Sequence, residues 1–231
     1  MNGKIPITIA FDIYGTLIDT HGLVEMLGRH VGDNALLFSQ LWRQKQLEYS
    51  FRRGLMKQYR DFGVCTAQAL EYTGLSFGVS LTEKETDLLL GAYRALPVFD
   101  DVTEGLKNAR DAGFRLYAFS NGKASDITNL LERANISHFF IDIISVDEVQ
   151  SFKPDPAVYQ HFLEKAAAKG ESAWMVSANP FDVIGAVSAG MKSAWVQRSP
   201  ALLMDPWEIS PTVVIHHLNE LATAITGWRN A

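Results

Sequence analysis

The chain has 231 residues, of which 47% are hydrophobic and 20% are charged, and its formal net charge is −5. These proportions are ordinary for a folded globular protein and exclude a disordered, collagenous or coiled-coil chain. Its 26 acidic residues outnumber 21 basic ones, and there is no long run of lysine or arginine, so we expect no nucleic-acid partner and no membrane partner.

The first predicted element is a buried strand over residues 7–11, a short run of apolar and β-branched side chains that ends at Asp12. The apolar stretch is too short to be a signal peptide, and the rest of the chain has no apolar run of about 18 residues. Cys65 is the single cysteine, which excludes a disulfide framework or a Cys-based zinc site within one chain. We therefore expect a soluble, cytoplasmic protein.

Residues 18–98 contain no comparable strand. Their apolar side chains recur at helical spacing instead, as at Val24, Leu27 and Val31. This pattern predicts an inserted helical cap subdomain of residues 18–98. The remaining residues, 1–17 and 99–231, would form the core domain.

From residue 99 onwards, short apolar strands alternate with helices of 10–15 residues. Asp100 or Asp101 can cap the first of these helices, which should end before Gly113. The other helices are predicted at residues 123–134, 156–169 and 180–190. Strands are predicted at residues 114–119, 141–146, 174–177, 193–197 and 213–215. The alternation predicts an α/β fold with a doubly wound, mainly parallel sheet.

Ligands of such sheets bind beyond the carboxyl ends of the strands. The polar residues predicted at those ends are Asp12, Ser120, Asn121, Lys153 and the segment 177–182. No Gly-x-Gly-x-x-Gly motif follows the first strand, and no Gly-x-Ser-x-Gly elbow is present, so we expect neither a dinucleotide cofactor nor a serine hydrolase.

These segments carry a family resemblance. Residues 12–17 (Asp-Ile-Tyr-Gly-Thr-Leu) resemble the nucleophile motif of the haloacid dehalogenase superfamily. Ser-Asn-Gly at 120–122, Lys-Pro-Asp-Pro at 153–156 and the segment 177–182 follow in the superfamily's order. Within the cap, residues 42–49 (Trp-Arg-Gln-Lys-Gln-Leu-Glu-Tyr) are similar to the signature of the L-2-haloacid dehalogenases. The resemblance implies a Rossmann-like core of the haloacid dehalogenase type.

The resemblance also implies a reaction. Asp12 would attack C2 of a short (S)-2-haloalkanoic acid and expel halide, leaving an ester on its own carboxyl group. Water would then cleave the ester at the Asp12 carbonyl and release an (R)-2-hydroxy acid, with one inversion at C2. The implied partners are a halogenated carboxylic acid, water and a second copy of the chain in a homodimer, and neither a metal nor another cofactor is expected.

The resemblance implies specific site residues. Arg43, Asn121 and Phe181 would cradle the departing halide, while Ser120 would bind the substrate carboxylate. Lys153 would keep Asp12 ionised, and Asp182 is the candidate for activating water. The implied catalytic residues are Asp12, Thr16, Arg43, Lys153, Ser177, Asn179 and Asp182. The implied substrate-binding residues are Tyr14, Arg43, Gln44, Leu47, Phe62, Ser120, Asn121, Tyr159 and Phe181.

Other functions stay open at this point. A phosphatase of the same superfamily would resemble its relatives in carrying a second aspartate where Tyr14 stands, and an acidic pair for Mg²⁺ where the segment 177–182 has one carboxylate. An epoxide-opening hydrolase could use the same aspartate on a small carboxylic acid. A non-catalytic binding module on the same scaffold is the third alternative.

Overall fold

The computed structural model describes residues 6–230, so residues 1–5 and 231 of the predicted core domain lie outside the described residues. The described chain forms one parallel sheet of six strands in the order β3-β2-β1-β4-β5-β6. The strands are β1 (Thr8–Phe11), β2 (Arg115–Ser120), β3 (Asp142–Ser145), β4 (Ala173–Ser177), β5 (Lys192–Val196) and β6 (Val213–Ile215). The prediction of an α/β fold with a parallel sheet is confirmed.

Nine α-helices accompany these strands in residues 6–230. Four of them lie between β1 and β2: α1 (Val24–Val31), α2 (Ala35–Leu55), α3 (Phe62–Ser76) and α4 (Glu83–Tyr93). The other five are α5 (Val102–Asp111), α6 (Ala124–Arg133), α7 (Pro156–Lys165), α8 (Pro180–Ser188) and α9 (Leu221–Asn230). The inserted segment is thus helical, as predicted, whereas its exact limits at residues 18 and 98 stay a prediction.

The central strand β1 positions the site. All four of its residues are buried, as expected for a parallel strand covered on both faces. Phe11 pairs with Ala118 of β2 on one side and with Val176 of β4 on the other. The residue after β1, Asp12, therefore lies at the carboxyl edge of the sheet between the ends of β2 and β4.

The longest helix of the insertion, α2, is fixed to α3 through a buried indole. Trp42 is buried, and its Nε1–H donates a hydrogen bond of 2.9 Å to the carbonyl oxygen of Thr66. Buried aromatic side chains contribute both apolar area and, through the indole N–H, a fixed register. This contact sets the rotation of α2, and with it the direction of the side chains that α2 presents to the core.

Three details differ from the sequence-based expectation. Asp101 precedes α5, but its carboxylate does not cap that helix, because it accepts hydrogen bonds from the Arg198 guanidinium and from the backbone N–H of Leu218. Helix α7 ends at Lys165, four residues earlier than predicted, and Ala167 then adopts a left-handed φ of 46°. Helix α9 was not among the predicted elements. Among residues 6–230, no helix has the combined length and hydropathy to cross a membrane.

Candidate active site

The turn after β1 folds back on Asp12. Gly15 has a φ of 86°, a conformation that glycine adopts without a steric penalty. The turn closes with a hydrogen bond of 2.9 Å from the N–H of Leu17 to the carbonyl oxygen of Ile13. This geometry returns Thr16 to the start of the turn, where its Oγ1 donates a hydrogen bond of 2.8 Å to Asp12 Oδ2.

The two carboxylate oxygens of Asp12 have different surroundings. Oδ2 accepts hydrogen bonds from Thr16 Oγ1 at 2.8 Å, from Asn179 Nδ2 at 2.7 Å and from Ser177 Oγ at 3.3 Å. Oδ1 accepts one hydrogen bond, from Lys153 Nζ at 3.2 Å. The residue is 8% exposed. Oδ2 is thus held by three donors, while Oδ1 keeps lone-pair density for another partner.

The ammonium group of Lys153 lies between two carboxylates. Its Nζ is 3.2 Å from Asp12 Oδ1, 2.8 Å from Asp182 Oδ2 and 2.9 Å from the carbonyl oxygen of Phe119. An ammonium group has three N–H donors, so these three acceptors use its full capacity. The side chain is 1% exposed, and Asn121 Oδ1 accepts a hydrogen bond of 3.0 Å from the backbone N–H of the lysine. The cation is therefore fixed at both of its ends.

Asp182 in the first turn of α8 is fully buried. Burial raises its pKa from the ordinary 3.8 to about 6, an effect that Lys153 opposes and the nearby charge of Asp12 reinforces. Its Oδ1 accepts a hydrogen bond of 2.8 Å from the hydroxyl of Tyr159, whose own pKa burial raises well above its ordinary value. Both oxygens of Asp182 are therefore occupied, one by Lys153 and one by Tyr159.

Arg43 reaches the site from α2. Its NH2 group donates a hydrogen bond of 3.2 Å to the carbonyl oxygen of Tyr14, and its NH1 group donates one of 2.6 Å to Gln46 Oε1. The same carbonyl oxygen of Tyr14 accepts a hydrogen bond of 3.1 Å from Asn179 Nδ2. A single backbone oxygen thus connects the cation of the helical insertion to the amide that holds Asp12.

Aromatic side chains surround these polar groups. The ring of Tyr14 stacks on Tyr93 with ring centroids 5.4 Å apart, and its centroid is 6.2 Å from that of Phe62. Burial, reinforced by Tyr93, raises the pKa of the Tyr14 phenol further above its ordinary value of 10, so this side chain stays neutral. Phe181 makes an edge-to-face contact with Phe51 of α2, with centroids 5.1 Å apart. The rings give the site apolar walls.

The structure brings most of the implied residues into one network and separates others from it. Leu47 packs against the hydrophobic core, and the buried Ser120 accepts the N–H of Gly122 at its Oγ. The side chain of Gln44 is exposed and makes no hydrogen bond to residues 6–230, so it lies apart from the contacts around Asp12. Gln46 and Tyr93 were not among the predicted site residues. Gln46 accepts a hydrogen bond from Arg43, and Tyr93 donates one to Gln46. Gln46 lies in the quoted segment 42–49, which is the one signal that could have identified it.

Known proteins resemble the chain over most of its length. A family model described as haloacid dehalogenase-like hydrolase matches residues 8–190. The chain is 35% identical to (S)-2-haloacid dehalogenase 2 of Pseudomonas sp. (strain CBS-3), over 92% of this chain and 93% of that protein. It is 37% identical to haloacetate dehalogenase H-2 of Moraxella sp. (strain B), over 82% of this chain and 85% of that protein.

A solved structure shows the same architecture. The L-2-haloacid dehalogenase from Xanthobacter autotrophicus with chloropropionic acid covalently bound superposes with a TM-score of 0.91 at 28% sequence identity. The match covers 96% of this chain and 99% of that one. The core sheet and the helical insertion therefore both have counterparts in a single known protein.

Proposed function

The chain belongs to the haloacid dehalogenase-like hydrolase family, and we propose that it hydrolyses short (S)-2-haloalkanoic acids to (R)-2-hydroxy acids. The observation that carries this function is the unequal environment of the Asp12 carboxylate. Three donors hold Oδ2, and among residues 6–230 Lys153 is the one hydrogen-bond partner of Oδ1. A carboxylate fixed at one oxygen can present the other to a carbon atom in a defined direction.

In the first step, Asp12 Oδ1 forms a bond to C2 of the substrate from the side opposite the halogen. The carbon–halogen bond breaks, and its electron pair leaves with the halide, so the configuration at C2 inverts. The positive charge of Lys153 keeps Asp12 ionised for this attack. Arg43 uses two of its five N–H donors on Gln46 and Tyr14, and the remaining ones are available to the developing halide.

In the second step, water attacks the carbonyl carbon of the Asp12 ester and loses a proton to Asp182. The negative charge that develops on Oδ2 falls on the oxygen that Thr16, Ser177 and Asn179 already face. Pre-placed donors of this kind stabilise a tetrahedral intermediate selectively. The intermediate then releases Oδ1 with the substrate carbon, and Lys153 Nζ, 3.2 Å from Oδ1, supplies the proton for the alcohol. Asp182 returns its proton to Lys153 across 2.8 Å, and the regenerated Asp12 carboxyl group releases its proton to solvent.

The same contacts argue against phosphatase chemistry. The phenol of Tyr14 stays neutral and cannot act as an acid matched to neutral pH. Asp182 is buried and pairs with the ammonium group of Lys153, whose positive charge would repel Mg²⁺, an ion that needs several oxygen ligands. A halide leaves as a stable anion and requires neither a proton nor a metal.

We extend this proposal to the roles of the remaining residues and to the organisation of the protein. Ser120, Asn121, Leu47, Phe62 and Phe181 would surround the substrate; exposed Gln44 would contact it only at the entrance. Residues 1–17 and 99–231 would supply the nucleophile, and residues 18–98 would supply Arg43 and the apolar walls.

We further propose a homodimer and a cytoplasmic location. Leu55, Met56 and Leu75 at the ends of α2 and α3 are exposed apolar side chains, which a second copy would cover. Sedimentation equilibrium tests the dimer, and Leu75→Glu should shift the protein toward the monomer. With Cys65 as its single cysteine, the chain has no disulfide framework of the kind that stabilises many secreted domains, which is the ground for the cytoplasmic location.

The discriminating experiment compares two substrates under identical conditions. Halide release is measured with L-2-chloropropionate, and phosphate release is measured with a simple phosphate monoester. We expect chloride release that Asp12→Asn abolishes and no comparable phosphate release. Phosphate release without chloride release would exclude the proposed function.

A further inference from the structure

Gln46 contacts Arg43, a cation that the helical insertion contributes to the site. Its side chain is fully buried, although glutamine is mostly found exposed. Its Oε1 accepts two hydrogen bonds, one of 2.6 Å from Arg43 NH1 and one of 3.0 Å from the hydroxyl of Tyr93. A buried amide oxygen with two donors is fully satisfied, so the contact is a built feature of the site and not an incidental one.

The orientation of this amide is fixed from its other side. Gln46 Nε2 donates a hydrogen bond of 2.6 Å to Thr66 Oγ1, and the hydroxyl of Thr66 donates onward to the carbonyl oxygen of Phe62 at 2.8 Å. Since the Thr66 hydrogen is used on Phe62, the threonine oxygen can only accept from Gln46. The amide therefore directs its oxygen toward Arg43, and a flipped amide would leave both ends with mismatched partners.

Arg43 is thus held at two points by uncharged acceptors. NH1 contacts Gln46 Oε1 and NH2 contacts the carbonyl oxygen of Tyr14, whose ring stacks on Tyr93. Two contacts at different nitrogens fix the plane of a guanidinium group, whereas one contact leaves it free to rotate. Neutral acceptors also leave the positive charge uncompensated, so that it remains available to an anion.

We propose that Gln46 is a positioning residue that sets the guanidinium plane of Arg43 for halide departure. This role rests on the proposed function, because it assumes that Arg43 contacts the leaving halide. Gln46 itself does not touch the substrate. Its loss should therefore lower the rate of carbon–halogen cleavage and leave substrate binding unchanged.

The test uses Gln46→Leu, which keeps the volume of the side chain and removes the amide. Single-turnover ester formation is followed with L-2-chloropropionate and L-2-bromopropionate. We expect at least about a tenfold loss with the chloro acid, a smaller loss with the bromo acid, and an unchanged KM, because chloride is the poorer leaving group and depends more on stabilisation. A purely structural role would lower both rates equally.

Variants at Thr66 guard against misfolding of the glutamine variant. Thr66→Val removes the acceptor of Gln46 Nε2 and should alter the ratio of the chloro-acid rate to the bromo-acid rate in the same way. Thr66→Ser keeps a hydroxyl and should show the wild-type ratio. Thr73→Val is the matched control, since Thr73 is equally buried in α3 and bonds only to the carbonyl oxygen of Ala69. It should retain the wild-type ratio.

A double-variant cycle with Arg43→Lys gives the decisive result. If Gln46 acts through Arg43, Gln46→Leu should have little further effect in the Arg43→Lys protein. The inference would be overturned if Gln46→Leu lowered the rate equally in the wild-type and Arg43→Lys proteins, or if Gln46→Leu kept the wild-type ratio of chloro-acid to bromo-acid rates. Either result would leave the proposed function intact. Absence of halide release from the wild-type protein would instead remove the proposed function itself, and the inference with it.

Discussion

Asn179 donates its side-chain N–H to Asp12 Oδ2 at 2.7 Å, although the two residues are 167 positions apart in the chain. The same Nδ2 group donates to the carbonyl oxygen of Tyr14 at 3.1 Å. Both amide hydrogens are thus used, one to orient the nucleophile and one to hold the turn after β1. An amide can donate to a carboxylate in this way, whereas an ionised carboxylate at position 179 cannot.

Asn179→Asp should therefore suppress ester formation by at least about tenfold, or about 1.4 kcal/mol in the transition state. Two ionised carboxylates at hydrogen-bond distance repel each other, so the loss of rate should depend on pH. Stopped-flow halide release as a function of pH measures both effects. Asn34→Asp, on an exposed residue before α2, is the control for added charge. Wild-type rates in Asn179→Asp would mean that Oδ2 needs no donor at this position.

Lys153→Met should destabilise the fold in a pH-dependent way. The substitution leaves the carboxylates of Asp12 and Asp182 without their shared cation in a buried site, which costs about 3–5 kcal/mol when both are ionised. Without the cation that opposes it, the upward shift of the folded-state pKa of Asp182 grows, so the loss is largest at about pH 7.5 and shrinks toward about pH 5 as the proton is taken up. Urea unfolding of both proteins at the two pH values measures this. An equal loss at both would contradict the charge argument.

The acid side of the activity profile should report Asp182. Burial raises its pKa to about 6, so below that pH it becomes a neutral acid, loses its attraction for Lys153 and can no longer accept a proton from water. Turnover should fall below about pH 6, and the folded state should bind this proton more tightly than the unfolded chain does. The contribution of this carboxyl to the free energy of unfolding therefore decreases as pH rises through about 4 to 6. Asp182→Asn should abolish most of the ester hydrolysis, and the activity that remains should no longer fall below about pH 6. If it still falls there, the titrating group is another residue.

The ester mechanism predicts where solvent oxygen goes. With enzyme in excess and heavy-oxygen water as solvent, the first turnover should place the label in the Asp12 carboxylate and none in the hydroxy acid, because the product carries Oδ1 away. Mass spectrometry of the peptide that contains Asp12 gives the answer. Label in the first product molecules would show direct attack of water on C2.

Halide release should not depend on a divalent metal. The oxygens of Asp12 and Asp182 already face Lys153, which supplies the positive charge that a metal ion provides in a phosphatase. Chelator treatment should therefore leave the rate unchanged, and added Mg²⁺ should be neutral or inhibitory. A phosphatase treated in parallel provides the control. Activity that disappears with chelator and returns with Mg²⁺ would exclude the mechanism proposed above.

Much of the sheet can be predicted from sequence because its strands are short apolar runs between polar turns. The end of β1 at Phe11, just before Asp12, and the bounds of β6 belong to this class. The early end of α7 cannot be predicted in the same way, since Ala167 adopts a left-handed conformation with no glycine or proline to announce it. The local sequence predicts the end of an element where glycine, proline or polar turn residues mark it, and fails where tertiary packing ends a helix.

The side of α2 that faces the site is the hardest feature to predict. Gln44 and Gln46 stand two positions apart in one motif, yet the first is exposed and the second is fully buried. Both faces of this helix carry polar and apolar residues, because one face packs on α3 and the other approaches the core. The rotation of α2 is set by the Trp42 contact to Thr66, a relationship between residues 24 positions apart that no local spacing reveals.

The strand order also bears on how the protein is made. Ser177, which ends β4, contacts Asp12 from 165 positions further along the chain, and β4 covers one edge of the strand that carries the nucleophile. During translation, β1 emerges long before β4 exists, so one hydrogen-bonding edge of this apolar strand stays unpaired until the chain has been synthesised to Ser177. The unpaired backbone N–H and C=O groups of such an edge can pair with a strand of another chain. Nascent chains that stall before β4 should therefore be both inactive and prone to aggregate. A chaperone that shields β1 should raise the yield of active enzyme without changing the stability of the finished protein.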